Sequence, residues 1–283
     1  MDGYLDLLDK NNSFGIEFLE AFGSKTMCNT HLHNHYELYY QIVGERYFFI
    51  KDKFYYIRPG DFVLITKNEI HKTVTANQNM YKRILINFKT PFIRDIINLT
   101  HDIDFSTFFT QSHIFGINMD DENYIKTLLY RMLDEYENKS YGYKSSLKLQ
   151  LSELLIYLMS CKKYDYSEGL KFPNAQYNKI SKISEYINKH YNEKLTLDHL
   201  AQKYNISSYY LSRTFKDVLG ITFIEYLNFT RISESKKLII NTNLSMTEIA
   251  FEVGFESSTY FTKVFKSITN TTPLKYRSIH NKK

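Results

Sequence analysis

The feature that most constrains this 283-residue chain is a helical unit that occurs twice. Its second copy reads Ser245-Met-Thr-Glu-Ile-Ala-Phe-Glu-Val-Gly-Phe-Glu-Ser-Ser-Thr-Tyr-Phe-Thr-Lys-Val-Phe-Lys266. Ser245 and Glu248 have the spacing of a capping box, which predicts a helix start. Gly254 predicts its end, because glycine takes positive φ without steric cost. Ser257 or Ser258 can cap a second helix. On that helix Phe261, Phe265 and Ile268 share one stripe, while Ser258, Thr259, Thr262, Lys263 and Lys266 share another. A short helix, a tight turn and a helix with a hydroxyl- and lysine-rich outer face predict a helix-turn-helix facing phosphates and base edges.

The first copy is built alike. Leu197-Asp-His-Leu-Ala201 parallels Met246-Thr-Glu-Ile-Ala250, and Asn205 stands where Gly254 stands. Asn is the next best residue for a left-handed helix stop. Leu211 and Phe215 point inward, leaving Ser207, Ser208, Tyr209, Ser212, Arg213 and Lys216 on or beside the outer face. Phe215-Lys216 and Gly220 to Tyr226 match Phe265-Lys266 and Asn270 to Tyr276. Thr222 and Glu225 form a further capping box, opening a helix that runs to about Ile240. The result is an all-α domain over 179–283, with helix-turn-helix units at 197–218 and 246–268 joined by a long helix.

The run from Ile180 to Arg277 resembles the DNA-binding domain of the AraC/XylS family of bacterial transcription regulators. The resemblance rests on Ala201, Ser207, Leu211-Ser212-Arg213, Phe215-Lys216, Gly220, Tyr226, Arg231, Ile249-Ala250, Val253-Gly254-Phe255, Phe261, Phe265-Lys266, Pro273 and Tyr276-Arg277. It implies a sequence-specific DNA-binding regulator that is not an enzyme. Base-reading positions then fall on Tyr209, Ser212 and Arg213, and on Thr259, Thr262 and Lys263. Arg213 has the fork that binds guanine O6 and N7 together. One chain would cover two adjacent major-groove segments about 10 base pairs apart. The implied partners are double-stranded DNA, a small-molecule effector, a second copy of the chain and, for an activator, RNA polymerase.

Charge is divided in the same way. From Lys171 onward there are 17 Lys+Arg against 9 Asp+Glu, leaving 19 against 22 for residues 1–170. The base-rich half carries the tandem motifs, as a phosphate-binding surface requires. No run approaches the ~18 apolar residues of a membrane span, and the start lacks a signal peptide's basic and apolar regions. Cys28 and Cys161 are too few and too separated for a disulfide framework or zinc knuckle. A cytoplasmic protein without a membrane partner is expected.

Residues 1–27 show no clear pattern. From His31 to Asn87 the runs Glu37–Val43, Tyr47–Ile50, Phe54–Ile57, Phe62–Ile65 and Arg83–Phe88 are β-branched or aromatic and punctuated by turn residues. They predict a small β-barrel or jelly roll within 1–120. His31-x-His33-x3-Glu37-x6-Gly44 and Gly60-x10-His71 resemble the two signature stretches of the cupin barrels. The second stretch departs from that pattern, with Thr66 and Asn68 where Pro and Gly are usual and Thr75 where Asn is usual. In metal-binding cupins such residues converge on one divalent transition ion. An extended strand would point His31, His33 and Glu37 to one face. Two readings stand: a metal held by His31, His33, Glu37 and His71, or an organic-effector pocket lined by these residues with Tyr39 and Tyr47. A cupin-type metalloenzyme fused to a DNA-binding domain is the rival function.

Helical spacing recurs at Ile125, Leu128, Leu129, Met132, Leu133 and Tyr136, and again at Leu147, Leu151, Leu154, Leu155 and Leu158. The pair, within 121–163, packs on the barrel, and its second helix is a candidate antiparallel dimer seam that Leu151→Glu with Leu158→Glu would break. Residues 164–178 read as a linker. The expected architecture is α+β: a cupin-like barrel with appended helices, then the tandem helix-turn-helix domain.

Overall fold

The structure is a computed structural model, and it describes residues 8, 13–22, 30–76, 80–99, 103–110, 113–161 and 175–280. The chain divides into two compact units, the second being essentially Lys171–Lys283. Of the expected linker, residues 164–174 lie outside the described residues, and 175–178 form the first turn of a helix.

In the N-terminal unit the strands are β1 (Phe14–Ala21), β2 (Tyr36–Val43), β3 (Arg46–Ile50), β4 (Lys53–Ile57), β5 (Asp61–Ile65), β6 (His71–Thr75), β7 (Tyr81–Phe88) and β8 (His113–Gly116). A five-stranded sheet has the order β1-β7-β2-β5-β8, and a three-stranded sheet the order β4-β3-β6. The helices are α1 (Thr90–Leu99), α2 (Phe105–Phe108), α3 (Glu122–Asn138) and α4 (Tyr143–Ser160).

The five-stranded sheet is buried on both faces, and the two-residue period of a strand sorts its side chains between them. Leu38, Tyr40, Phe62, Leu64, Ile84, Ile86 and Phe115 pack with Ile125, Leu129, Met132, Leu151 and Leu155 of α3 and α4. Their alternates Tyr39, Val63, Ile65, Leu85 and Ile114 pack with Phe48, Ile50 and Ile57 of the smaller sheet. Burying each large side chain contributes about 1.5–3 kcal/mol, so both layers are firmly held.

The five expected strands are present to within two residues at their ends, and β1, β6 and β8 join them. β1 pairs with β7 over eight residues at the sheet edge, from Phe14 opposite Phe88 to Ala21 opposite Tyr81. The candidate dimer seam on α4 needs correction at its chosen residues: Leu151 and Leu158 are wholly buried against the sheet and α3. The large apolar side chains of α4 that are exposed are Leu149 and Ile156, at 63% and 38% and seven residues apart, with Glu153 exposed between them.

The C-terminal unit contains α5 (Ala175–His190), α6 (Leu197–Lys203), α7 (Ser208–Leu219), α8 (Phe223–Asn241), α9 (Met246–Glu252), α10 (Ser258–Thr269) and α11 (Pro273–His280). Each helix-turn-helix has its own core. Ile249, Ala250, Val253, Phe255, Phe261, Phe265 and Tyr276 close the second around Ile232 and Ile239 of α8. In the first, Leu200, Leu211, Phe215, Leu219 and Tyr226 are buried.

Lys236 is the exception on α8, since it is a cation only 5% exposed. Burial pushes its ammonium from the ordinary 10.5 down to about 8. Below pH 8 folded and unfolded chains are both protonated there, and the full desolvation cost is present. Between pH 8 and 10.5 the unfolded chain holds more protons, so folding stability rises with pH. Lys236→Met should therefore raise the melting temperature at pH 7, by an amount equivalent to about 1–3 kcal/mol, with the advantage shrinking towards pH 10. Thermal unfolding of wild type and variant across that range checks it; equal melting temperatures at pH 7 would contradict it.

Candidate nucleic-acid interface and barrel cavity

Six helix starts in the C-terminal unit are tied by hydroxyl caps, that of α11 by Thr272, whose side chain accepts from the Lys275 amide. The Thr196 side chain accepts from the His199 amide, Ser207 from Tyr210 and Ser257 from Tyr260. Thr222 with Glu225, and Ser245 with Glu248, form complete capping boxes. Each such cap is worth about 1 kcal/mol and sets where its helix begins, hence which side chains share a face. Ser257 is therefore the cap of α10, with Ser258 as its first helical residue.

The turns stop as the residue types require. Asn205, Gly220, Gly254 and Asn270 all have positive φ. At Gly254 a side chain is also excluded sterically. A Cβ there would lie 2.8 Å from the Asn192 backbone and from the Tyr191 carbonyl. The turn of the second motif thus packs directly on the segment between α5 and α6. Arg231 of α8 secures that segment by donating to the Tyr191 carbonyl at 2.7 Å and the Glu193 carbonyl at 2.9 Å. Arg277 likewise donates to the carbonyls of Ile239 and Leu244. These two arginines hold backbone.

With that frame set, the outer faces of α7 and α10 lie open. Tyr209, Ser212, Arg213 and Lys216 are exposed, as are Thr259, Thr262, Lys263 and Lys266; Ser208 and Ser258 are half-buried and Ser207 is exposed at its cap. Leu211 and Phe215, and Phe261 and Phe265, are buried on the opposite sides. Two carboxylates border the first face and were passed over in the sequence. Arg213 Nε lies 3.5 Å from Asp217 Oδ2, and the Ser208 hydroxyl donates to Asp198. The first follows from helix geometry, since Asp217 is four residues beyond Arg213 on the same side; the second joins α6 to α7.

In the N-terminal unit His31, His33, Glu37 and His71 come together, with one ligand atom from each within 4.8 Å of the others. The route differs from the expected continuous strand. His31 forms an isolated antiparallel bridge with His71, exchanging both backbone hydrogen bonds, and residues 32–35 then bend before β2 begins. His33 Nε2 lies 3.3 Å and His71 Nε2 3.9 Å from Glu37 Oε2. His33 Nδ1 is 3.0 Å from the His35 carbonyl and His71 Nδ1 is 2.9 Å from that of Glu69. A carbonyl accepts only, so each Nδ1 carries the hydrogen and each Nε2 turns a lone pair inward when the ring is neutral. Burial alone would raise the Glu37 carboxyl. When the rings are protonated, the hydrogen bond from His33 and the charges of His71, His33 and His31 outweigh it and hold Glu37 well below the usual range. His35, absent from the sequence-based set, is buried and stacks on His33 at 3.8 Å. Burial and the neighbouring His33 push it down to about 3.

Glu37 also borders a cavity of about 140 Å³ between the two sheets, lined by Leu19, Tyr39, Arg46, Thr73, Tyr81, Arg83 and Leu85. Tyr39 lies on this wall as expected, donating to Gln41 Oε1 at 2.5 Å. Tyr47 does not: its neighbour Arg46 lines the cavity, and Tyr47 packs on Tyr56 of β4 at 5.1 Å. Arg46 and Arg83 were missed because charged residues in a strand read as solvent-facing, and Tyr81 because the expected strand began only at Arg83. The alternation of Arg83 and Leu85 with buried Ile84 and Ile86 was the available signal.

Comparison with known proteins agrees with both halves. The AraC-like ligand binding domain model matches residues 13–159, just over half of the chain, and a helix-turn-helix domain model matches 200–279. The bifunctional transcriptional activator/DNA repair enzyme AdaA of Bacillus subtilis is 39% identical over 109 residues, 38% of this chain and 51% of that protein. The uncharacterized HTH-type transcriptional regulator YisR of the same organism is 31% identical over 154 residues, 54% of this chain and 51% of that protein. The chain thus spans about half the length of these curated relatives. Among solved structures, fatty-acid-bound ToxT of Vibrio cholerae is 19% identical with a TM-score of 0.42, covering 96% of this chain and 98% of that one. On the match of the ligand-binding model across residues 13–159, joined to the helix-turn-helix match, this chain belongs to the AraC family of transcriptional regulators.

Proposed function

We propose that this chain binds specific duplex DNA sequences through α7 and α10 and regulates transcription in response to a small molecule held in the N-terminal cavity. The observation that carries the reading is the pair of identically capped helices. Each turns an apolar stripe inward and leaves a row of hydroxyls and cations exposed. Arg213 stands nearer the start of its helix and reads a base, whereas Lys216 meets phosphate. Asp217 holds the Arg213 guanidinium until DNA replaces it. RNA polymerase is a further partner if the protein activates. A cytoplasmic setting accords with the DNA target, and no helix among the described residues is long and apolar enough to cross a membrane.

A divalent transition metal in the barrel is a second proposal, favoured by one observation. His33 and His71 each spend Nδ1–H on a backbone carbonyl, the outer contact that orients metal-binding imidazoles. Their Nε2 atoms converge on the Glu37 carboxylate with His31 alongside. Three imidazoles and one carboxylate suit a borderline divalent ion. Such an ion would link the β2 and β6 sides of the barrel, and its chemistry would be that of a structural or ligand-receiving Lewis acid. The rival reading, a metalloenzyme, additionally requires turnover of a small substrate.

Dimerisation is assigned to the exposed side of α4. Leu149 and Ile156 have the seven-residue spacing of a two-helix seam.

The DNA reading is checked by binding to sequences selected from a random pool. Specific affinity should fall steeply with salt as counterion release is lost. Arg213→Ala should cost about 1–3 kcal/mol and relax preference at one position, while Lys216→Ala weakens all sequences alike. No sequence preference, or indistinguishable losses in the two variants, would contradict it. For the metal, calorimetric titration of the purified apo protein with Zn²⁺ should give one site per chain, with proton release that depends on pH. His71→Ala should lose that site; equal binding by wild type and variant would remove the proposal. For the dimer, Leu149→Glu with Ile156→Glu should yield monomers in sedimentation with little change in melting temperature. Leu151→Glu should instead unfold the N-terminal unit, costing more than about 3 kcal/mol for a buried charge. A double variant that stays dimeric would exclude this face.

A further inference from the structure

We infer that the ligand taken by the barrel cavity is a small anion, a carboxylate or phosphate of few atoms, held by Arg83 and Arg46. The inference rests on the effector reading above and specifies the chemistry of that site.

Among the described residues lining the cavity, two are cationic, Arg46 and Arg83, and one is a carboxylate, Glu37. Glu37 is committed elsewhere, to His33 at 3.3 Å and His71 at 3.9 Å. Arg83 is half satisfied. Its Nη2 meets Glu17 Oε2 at 3.1 Å, and its Nη1 is buried with no hydrogen-bond partner among the described residues. A guanidinium donor without a protein partner costs folding energy unless something in the adjoining cavity accepts from it, and an anion there would do so with opposite charge. Arg46 is 3% exposed and stacks on the Tyr81 ring, its guanidinium carbon 3.7 Å from the ring centroid. Stacking fixes the plane of the fork in advance, which lowers the entropy cost of gripping a planar carboxylate. Tyr39 completes the wall. Its hydroxyl donates to Gln41 Oε1 at 2.5 Å.

Size and shape narrow the class. A cavity of about 140 Å³ is close to one that accommodates benzene, so the ligand has on the order of six to eight non-hydrogen atoms. Leu19 and Leu85 line the cavity as well, which leaves room for a short apolar tail.

The test uses the full-length chain and three acids, acetate, butyrate and benzoate, with inorganic phosphate, each acid paired with its amide. Thermal stabilisation and calorimetry should show binding of at least one acid or of phosphate, and none of the amides. Arg83→Gln should weaken that binding at least about tenfold, the loss expected for one charge-assisted contact. Glu17→Gln removes the competing carboxylate from Arg83 at a partly exposed position and should tighten the same binding severalfold. The Glu17 variant keeps the test decisive should Arg83→Gln disturb folding. Amides that bind as well as acids, no stabilisation by any anion of the set, or a Glu17→Gln variant that binds anion more weakly would overturn the inference. A neutral metabolite that alters DNA affinity would overturn the anion while leaving the effector reading intact. An acid that requires Arg83 but leaves DNA binding unchanged would uphold the anion and remove the effector reading.

Discussion

Burial of the five-stranded sheet on both faces is the constraint from which the N-terminal unit takes its shape. A sheet in water on one side can fill that side with any polar residue. Here, away from the edge strand β1, nearly every alternate residue meets either α3 and α4 or the smaller sheet. Polar side chains in the inner layer gather at one end of it: Glu37, Gln41, Arg46, Thr73, Arg83, Asn87 and the histidines beside them. Each carries a desolvation cost that an ordinary core would avoid. Polar groups set against such a cost make this part of the unit its candidate binding site.

The C-terminal unit solves a different problem. Two recognition helices serve one DNA site only if their faces are fixed relative to each other. Caps at Ser207 and Ser257 set where each face begins, and α8 contributes to the core of the second motif. The close approach of Gly254 to Asn192, with Arg231 clasping the same segment, adds a third tie. Apart from Ser207, which caps α7 and borders the first face, none of these ties uses a residue assigned to the open faces.

Much of the C-terminal unit was legible because its signals are local. Capping boxes, left-handed Asn and Gly stops and an apolar stripe each involve residues within one or two turns, and the repetition of all three removed ambiguity. The barrel was less legible for a corresponding reason. β1 is written Phe14-Gly-Ile-Glu-Phe-Leu-Glu-Ala and becomes a strand only by pairing with β7, some 67 residues on. β6 and β8 are short and owe their form to partners. The histidine set was found through its resemblance to the cupin signatures, yet the chain brings it together through a bridge between His31 and His71 and a bend. Leu151 and Leu158 illustrate the converse error. Periodicity shows that a face is apolar, and not what covers it; here the sheet does, leaving Leu149 and Ile156 outside.

The account stands or falls on whether one chain engages two grooves. Hydroxyl-radical footprinting of the full-length protein on a selected site, at a protein concentration too low for dimers, measures this directly. The expected result is two protected segments on one face of the duplex, about 10 base pairs apart, with the α7 variant Arg213→Ala clearing only one of them. A single protected groove, or loss of both segments together with that one substitution, would contradict it.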